Sequence, residues 1–205
     1  MKFPVALFIM GRPGSGKDTQ ADLLSKNFDL VRISTSGLIK QRLYDSKKQN
    51  DEMIKREKDI FESGMLNTPS WVVSVVKEHL LQFKKDNFNG KNGVVFSGSP
   101  RTPYESENLM PFLENVFSKQ NMLAVYLDLS EQDGLKRIRK RNKLTPRELD
   151  EGEKKLAIRT DEFNNRTLSA INYLEDGGYL VKVDGSKSVE EIERKIKVLV
   201  SSKLS

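Results

Sequence analysis

Residues 5–20 read VALFIMGRPGSGKDTQ, and this stretch decides how the rest of the chain is interpreted. Its first six residues are all apolar, which is typical of a strand buried in the middle of a parallel sheet. Gly11 follows the strand, four residues separate it from Gly16 and Lys17, and a segment with helical spacing begins there. In such a context glycines let backbone N–H groups face phosphate oxygens, and the lysine adds a mobile cation. The stretch therefore predicts a phosphate-binding loop.

The remaining hydrophobic pattern predicts an α/β fold. Short apolar runs rich in β-branched residues predict four more parallel strands, at residues 30–33, 94–96, 123–129 and 179–183. Helical spacing of apolar residues predicts helices over residues 18–28, 68–83, 131–141 and 154–174, and a last helix after the capping-box sequence that starts at Ser188. Because strands alternate with helices, we expect three layers around a five-stranded parallel sheet.

Two charge-rich segments interrupt this alternation. Residues 34–67 form a polar helical insertion between the second and third strands, and residues 142–152 form a short charged loop. We expect both to act as mobile covers on a rigid core that consists of residues 1–33, 68–141 and 153–205.

Composition excludes several classes of protein. The chain has 205 residues and no cysteine, which excludes disulfides, thiolate catalysis and Cys-ligated zinc or iron–sulfur sites. No apolar run is long enough to span a membrane, and the first one lacks the pattern of a signal peptide, so a cytoplasmic protein without membrane contact is expected. Lys and Arg number 35 against 29 Asp and Glu, and the net charge of +6 either suits an anionic partner or only keeps the surface soluble.

Several segments together resemble one family. Residues 11–20 closely resemble the opening of adenylate kinases and related nucleoside monophosphate kinases. Further segments match that family in order and spacing: residues 32–37, 64–66, 96–102, 136–141 and 183–187, with Asp150, Arg159 and Phe163. This resemblance covers essentially the whole chain. It implies a phosphate-loop NTPase fold in which residues 34–67 bind the monophosphate and residues 142–152 form a short lid. The implied partners are ATP and a nucleoside monophosphate, most of all AMP, with Mg²⁺ as cofactor and the protein as a monomer.

The resemblance also implies which residues bind and react. Phosphoryl transfer depends on aligning donor and acceptor and on neutralising charge, for which the planar, permanently charged fork of arginine is suited. The implied catalytic residues are Lys17, Arg101, Arg137, Arg141 and Arg159. The implied ATP-binding residues are Gly11, Pro13, Gly14, Ser15, Gly16, Lys17, Asp18, Thr19, Arg137 and Lys187. The implied monophosphate-binding residues are Thr35, Ser36, Lys40, Leu66, Gly98, Arg101 and Glu105.

Three positions depart from the family pattern and leave alternatives open. Lys40 stands where the family usually has an arginine, Ser97 where it has an aspartate, and Glu105 where it has the glutamine that reads adenine. A carboxylate only accepts hydrogen bonds, so Glu105 suits the N–H of guanine or hypoxanthine unless it turns aside toward a cation. A kinase that prefers GMP or IMP is one alternative, and a nucleotide-binding regulator with weakened catalysis is another. A nucleic-acid-binding protein is a third, although no aromatic residue interleaves the basic residues 136–143.

The expected magnesium site is also unusual. We expect a site formed by Thr19 and, through water, by the acidic group that follows Lys17. That group is Asp18, where this family usually has glycine, and Ser97 replaces the acidic residue at the end of the third strand. One hypothesis is that the acidic group has moved from the strand end to the loop and makes nucleotide binding depend on Mg²⁺. The other is that Asp18 only caps the helix that follows.

Overall fold

The computed structural model describes residues 4–45, 51–144 and 152–203. Its strands are β1 Val5–Met10, β2 Val31–Ser34, β3 Gly93–Ser97, β4 Met122–Asp128 and β5 Leu180–Asp184. Its α-helices are α1 Lys17–Phe28, α2 Thr35–Leu43, α3 Glu52–Ser63, α4 Pro69–Lys85, α5 Pro103–Phe117, α6 Glu131–Asn142, α7 Glu153–Glu162, α8 Leu168–Asp176 and α9 Val189–Lys203. Most of the predicted lid, residues 145–151, lies outside the described ranges. Within those ranges, no helix is long and apolar enough to cross a membrane.

The sheet confirms the predicted fold class. All five strands are parallel and lie in the order β2-β3-β1-β4-β5, so the strand before the phosphate-binding loop is the central one. Every residue of β1 is buried, as the continuous apolar run predicts for a strand covered on both faces. The observed strand bounds differ from the predicted ones by at most one residue at either end.

Each face of the sheet packs against its own layer of helices. Side chains alternate along a strand, so Phe8 joins the core formed with α4, α5 and α8, while Leu7 and Ile9 join the core formed with α1 and α9. On the first face the rings of Phe8 and Phe96 stack with centroids 4.9 Å apart. Burial of apolar surface on both faces provides the main stabilisation and makes the sheet a rigid base for the loops at its edge.

The hydrophobic pattern left the segment between the third and fourth strands without a predicted helix, and the structure has α5 there. Pro111 lies in the interior of this helix and cannot donate the usual backbone hydrogen bond. The buried residues Leu109, Met110 and Leu113 nevertheless anchor α5 on the sheet. Tertiary packing therefore outweighs the local cost of the proline.

The predicted single helix over residues 154–174 is wrong in one respect. The structure has α7 and α8, joined by a π-helical turn at Phe163–Thr167. Such turns hold one extra residue and occur frequently at functional sites. Here Phe163 and Thr167 are both buried, and both line the cavity described below.

Parallel strands place all their carboxyl ends at one edge of the sheet. The loops that follow β1 and β3 and the start of α2 after β2 therefore open on the same side. In open α/β sheets this edge is where ligands bind.

Candidate active site

One cavity of about 420 Å³ lies at the carboxyl edge of the sheet, between the phosphate-binding loop, α2, the end of α3, the loop after β3 and α7. It brings together twelve of the residues that the family resemblance implies: Gly11, Pro13, Lys17, Asp18, Thr35, Ser36, Lys40, Leu66, Gly98, Arg101, Glu105 and Arg159. Four of these carry a positive charge against the two carboxylates of Asp18 and Glu105, so the excess of cations suits the cavity to an anionic ligand.

The phosphate-binding loop has the backbone geometry that its glycines predict. Gly14 and Gly16 have φ values of 82° and 87°, which L residues with a side chain rarely adopt. Gly16 is the N-cap of α1 and supplies no capping side chain, so the helix start is open to an anion. The loop also packs closely on α6, because a Cβ atom on Gly14 would come 2.3 Å from the carbonyl oxygen of Gly134.

Arg12 ties the phosphate-binding loop to the π-helical turn. Its guanidinium group lies 4.8 Å above the ring of Phe163, a cation–π contact, and its Nη1 atom lies 3.4 Å from Glu131. Asn164 donates a hydrogen bond of 3.0 Å to the same Glu131 carboxylate. The segment after α7 is therefore held against the loop by both charge and packing.

The loop after β3 fixes Arg101 through two contacts. Its Nε donates to the carbonyl oxygen of Gly98 at 2.7 Å, and its backbone N–H donates to Glu105 Oε2 at 2.9 Å. Burial lowers the pKa of Arg101, although the nearby carboxylates of Glu105 and Asp18 oppose that shift. A side chain held in this way is oriented before any ligand arrives.

Glu105 is turned toward its own loop. The side chain is buried, and it also accepts hydrogen bonds from the hydroxyl groups of Ser99 at 3.2 Å and Thr102 at 3.3 Å. Thr102 in turn accepts from the Glu105 backbone N–H at 3.2 Å, so Thr102 is the N-cap of α5. Burial raises the pKa of Glu105, and the N–H and charge of Arg101 work against that rise.

Asp18 lies in the first turn of α1 and is bound by residues from two strands. Its Oδ1 atom accepts from Arg32 Nη2 at 3.1 Å and from the hydroxyl of Ser97 at 2.8 Å. Burial alone would raise the pKa of Asp18, but Lys17, the Ser97 hydroxyl and Arg32 outweigh it and hold that pKa well below its usual range. The carboxylate is therefore ionised at neutral pH, as a magnesium-facing group must be.

Some predicted residues lie beyond the cavity wall. Arg137 Nη2 donates to the carbonyl oxygen of Ser186 at 3.1 Å, which places it beside the loop that holds Lys187. Arg141 Nη2 donates to the side chain of Asn142 at 3.2 Å, and Thr19 is exposed. Gly14, Ser15 and Gly16 belong to the phosphate-binding loop without lining the cavity, although the Ser15 hydroxyl is buried with no hydrogen-bond partner in the described part of the chain.

The sequence patterns did not single out other cavity residues, among them Asn67 and Glu162. Asn67 is buried and donates to the Glu57 carboxylate at 2.9 Å, and Glu57 itself is only 2% exposed. An acidic residue in a charge-rich helix gives no sign of burial in the sequence. Arg32 did carry such a sign, because it is a charged residue within an otherwise apolar strand.

Comparisons with known proteins show a family match over most of the chain. The family model described as adenylate kinase matches residues 9–179. An adenylate kinase of Flavobacterium johnsoniae is 27% identical over 202 residues, covering 97% of this chain and 99% of that protein. An adenylate kinase of Parabacteroides distasonis is 29% identical over 194 residues, which are 95% of this chain and 96% of that one. One of Leptospira biflexa is 27% identical over 190 residues, with coverage of 93% and 96%.

Proposed function

The chain belongs to the adenylate kinase family of phosphotransferases, and on that premise we propose that it transfers the terminal phosphoryl group of Mg-ATP to AMP and forms two molecules of ADP. The family match covers most of the chain, and the cavity is lined by residues that suit both a donor and an acceptor phosphate, which supports this proposal. As part of the same proposal, the protein acts as a monomer in the cytoplasm.

A single observation carries the proposal. Lys17 on the phosphate-binding loop and Arg101 after β3 line the same cavity as Lys40 on α2, so groups suited to a donor triphosphate and to an acceptor monophosphate share one cavity. A protein that only bound ATP would need the first of these but not the other two. A continuous cavity instead allows two phosphates to approach each other in line.

Each cation has a distinct role in the proposed reaction. Lys17 and the N–H groups at the start of α1 bind the donor phosphates, where the helix adds partial positive charge. Arg101, held by Gly98 and Glu105, and Arg159 on α7 face the charge that develops on the transferring group. Oriented charges of this kind stabilise a transition state without reorganising during the reaction. Lys40 and Leu66 bind the acceptor, with Lys40 supplying charge but no bidentate fork.

The donor side extends beyond the cavity. Arg137 and Lys187 lie around the loop that follows β5, and we assign them to ATP, with Arg141 one helical turn further along α6. Mg²⁺ enters with ATP as part of the substrate, and Thr19 and Asp18 are the proposed groups that face it, Asp18 through water. The insertion and the lid exclude water, which otherwise competes as acceptor.

AMP is preferred as acceptor because of the way Glu105 is held. Its carboxylate accepts three hydrogen bonds from the loop that carries it, from Arg101, Ser99 and Thr102, which reduces its capacity to accept one from a base N–H. A GMP- or IMP-preferring kinase remains the second candidate, favoured by the position of Glu105 in the cavity lining.

A coupled assay that measures diphosphate formation from Mg-ATP with AMP, GMP, IMP, CMP and UMP tests the proposal. We expect kcat/KM for AMP to exceed that for every other acceptor by at least about tenfold. A higher value for GMP or IMP would favour the second candidate. Nucleotide binding without turnover would indicate a regulator, and binding of nucleic acid that weakens steeply with salt would indicate a nucleic-acid-binding protein.

A further inference from the structure

Arg32 uses all three nitrogen atoms of its guanidinium group on the start of α1 and the end of β3. Its Nη2 donates to Asp18 at 3.1 Å, its Nη1 donates to the hydroxyl of Ser97 at 2.8 Å, and its Nε donates to Asp22, one helical turn after Asp18. The arginine side chain is only 21% exposed, whereas that of Asp22 is 60% exposed. Arg32 therefore bridges a strand of the core to the helix that follows the phosphate-binding loop.

Arg32, Ser97 and Asp18 form a closed ring of hydrogen bonds. The Ser97 hydroxyl accepts from Arg32 and donates to Asp18 Oδ1 at 2.8 Å, so its single proton points toward Asp18. The two strand residues thus fix both the position and the charge environment of the carboxylate. An aspartate at the end of β3 in place of Ser97 would instead bring a second negative charge to Asp18.

Asp18 is an unfavourable group to place beside phosphates. It directly follows Lys17, lines the cavity and is ionised, so it repels a polyphosphate that Lys17 attracts. Without a counter-charge this repulsion would oppose the main purpose of the loop. Lys17 supplies part of that counter-charge, and Arg32, which also pairs with Asp22, supplies a further part through its hydrogen bond to Asp18.

We propose that Arg32 is a positioning residue that neutralises and orients Asp18, and thereby allows the phosphate-binding loop to bind a nucleoside triphosphate without relying on a divalent ion for that neutralisation. This inference rests on the proposed function, because it concerns the donor site of the same reaction. Without Arg32, Mg²⁺ must neutralise Asp18 instead, and the affinity for ATP becomes more dependent on the metal.

Calorimetric titration of ATP into the full chain, in EDTA and in excess Mg²⁺, measures this dependence. For Arg32→Gln we expect metal-free Kd to rise about tenfold and Kd with Mg²⁺ to rise less than about threefold, because the divalent ion then screens Asp18. The double variant Arg32→Gln with Asp18→Asn should regain metal-free affinity to within about threefold of Asp18→Asn alone, since the charge to be neutralised is gone. Arg194→Gln, an exposed residue of α9, is the control for the loss of one positive charge.

Arg32→Lys separates charge from hydrogen-bond geometry and provides a variant should Arg32→Gln fold poorly. It should keep metal-free affinity within about threefold of wild type, because neutralisation requires the charge more than the fork. The inference is overturned if Arg32→Gln weakens ATP binding equally with and without Mg²⁺, if the double variant shows no recovery, or if Arg194→Gln produces the same loss. In each of those cases the wild type still binds ATP. A wild type that binds no ATP under either condition would contradict the proposed function itself.

Discussion

Alanine substitutions at two glycines of the phosphate-binding loop should have unequal effects, although both have positive φ values. An alanine in the left-handed region costs roughly 1–2 kcal/mol. At Gly16, where φ is 87°, the added Cβ would meet no atom within 4 Å, so this cost is the whole expected loss. At Gly14 the Cβ would also lie 2.3 Å from the carbonyl oxygen of Gly134, a backbone atom of α6 that cannot move aside cheaply.

The two expected losses of stability can both be expressed as a fall in Tm. Relieving an overpacked contact adds about 1–3 kcal/mol, so Gly14→Ala should lose about 2–5 kcal/mol in all. For a protein of this size, 1 kcal/mol corresponds to about 2–4 °C in Tm. We therefore expect Tm to fall by about 2–8 °C in Gly16→Ala and by about 4–20 °C in Gly14→Ala.

Thermal unfolding followed by circular dichroism at one protein concentration gives both values, with Gly16→Ala as the matched control. Equal falls in Tm for the two variants would refute the argument, because only Gly14 faces the backbone of Gly134. We do not expect a second substitution at Gly134 to restore the stability of Gly14→Ala, because Gly134 has no side chain that could be made smaller.

Three further predictions concern the site and its surroundings. Arg101→Lys keeps the charge but loses the fork, so kcat/KM for AMP should fall by about 10²–10³ with Tm close to that of wild type; a fall of less than about tenfold would contradict its role at the transferring phosphate. Glu105→Gln should change the AMP-to-GMP ratio of kcat/KM by less than about threefold, because the carboxylate is already bound by its own loop; a shift of tenfold or more toward AMP would instead mean that Glu105 reads the base. His79 is the chain's one histidine, and burial lowers its pKa from 6.5, so below that value the unfolded chain binds more protons and stability is lost as pH falls. His79→Gln should therefore show a smaller decrease in the free energy of unfolding between pH 7.5 and 5.5 than wild type, measured by urea titration, and an unchanged decrease would show that another group is responsible.

Local patterns predicted the parts of the fold that local physics determines. The run Val5–Met10 and the glycines after it specify a buried strand and a phosphate-binding turn without help from distant residues. The strands of the sheet were predicted from the same kind of local hydrophobic pattern. Helix α5 was not, because Pro111 argues against a helix; Thr102 marks the start of α5, and packing against β1, α4 and α8 outweighs the proline. The π-helical turn was likewise invisible, since one extra residue in a helix leaves the apolar spacing almost unchanged.

Sequence patterns predicted the site residues that belong to a motif. They did not predict those that are defined by contacts between distant residues. Lys17 and Arg101 were identified from their motifs, and both line the cavity. The pairing of Asp18 with Arg32 was not, because it joins residues 14 positions apart through a strand order that no local pattern specifies. For the same reason the magnesium hypothesis treated Asp18 without its counter-ion. The roles of the individual residues remain predictions for the experiments above.

The π-helical turn at Phe163–Thr167 makes this part of the chain intolerant of changes in length. Successive residues of an α-helix are turned by about 100°, so removing one residue here would rotate everything on one side of the deletion relative to the other. Either Ile171 and Leu174 of α8 would leave the core, or Arg159 of α7 would turn away from the cavity. A surface loop tolerates the gain or loss of a residue. This turn, in contrast, fixes the angle between the helix face that packs into the core and the helix face that lines the cavity.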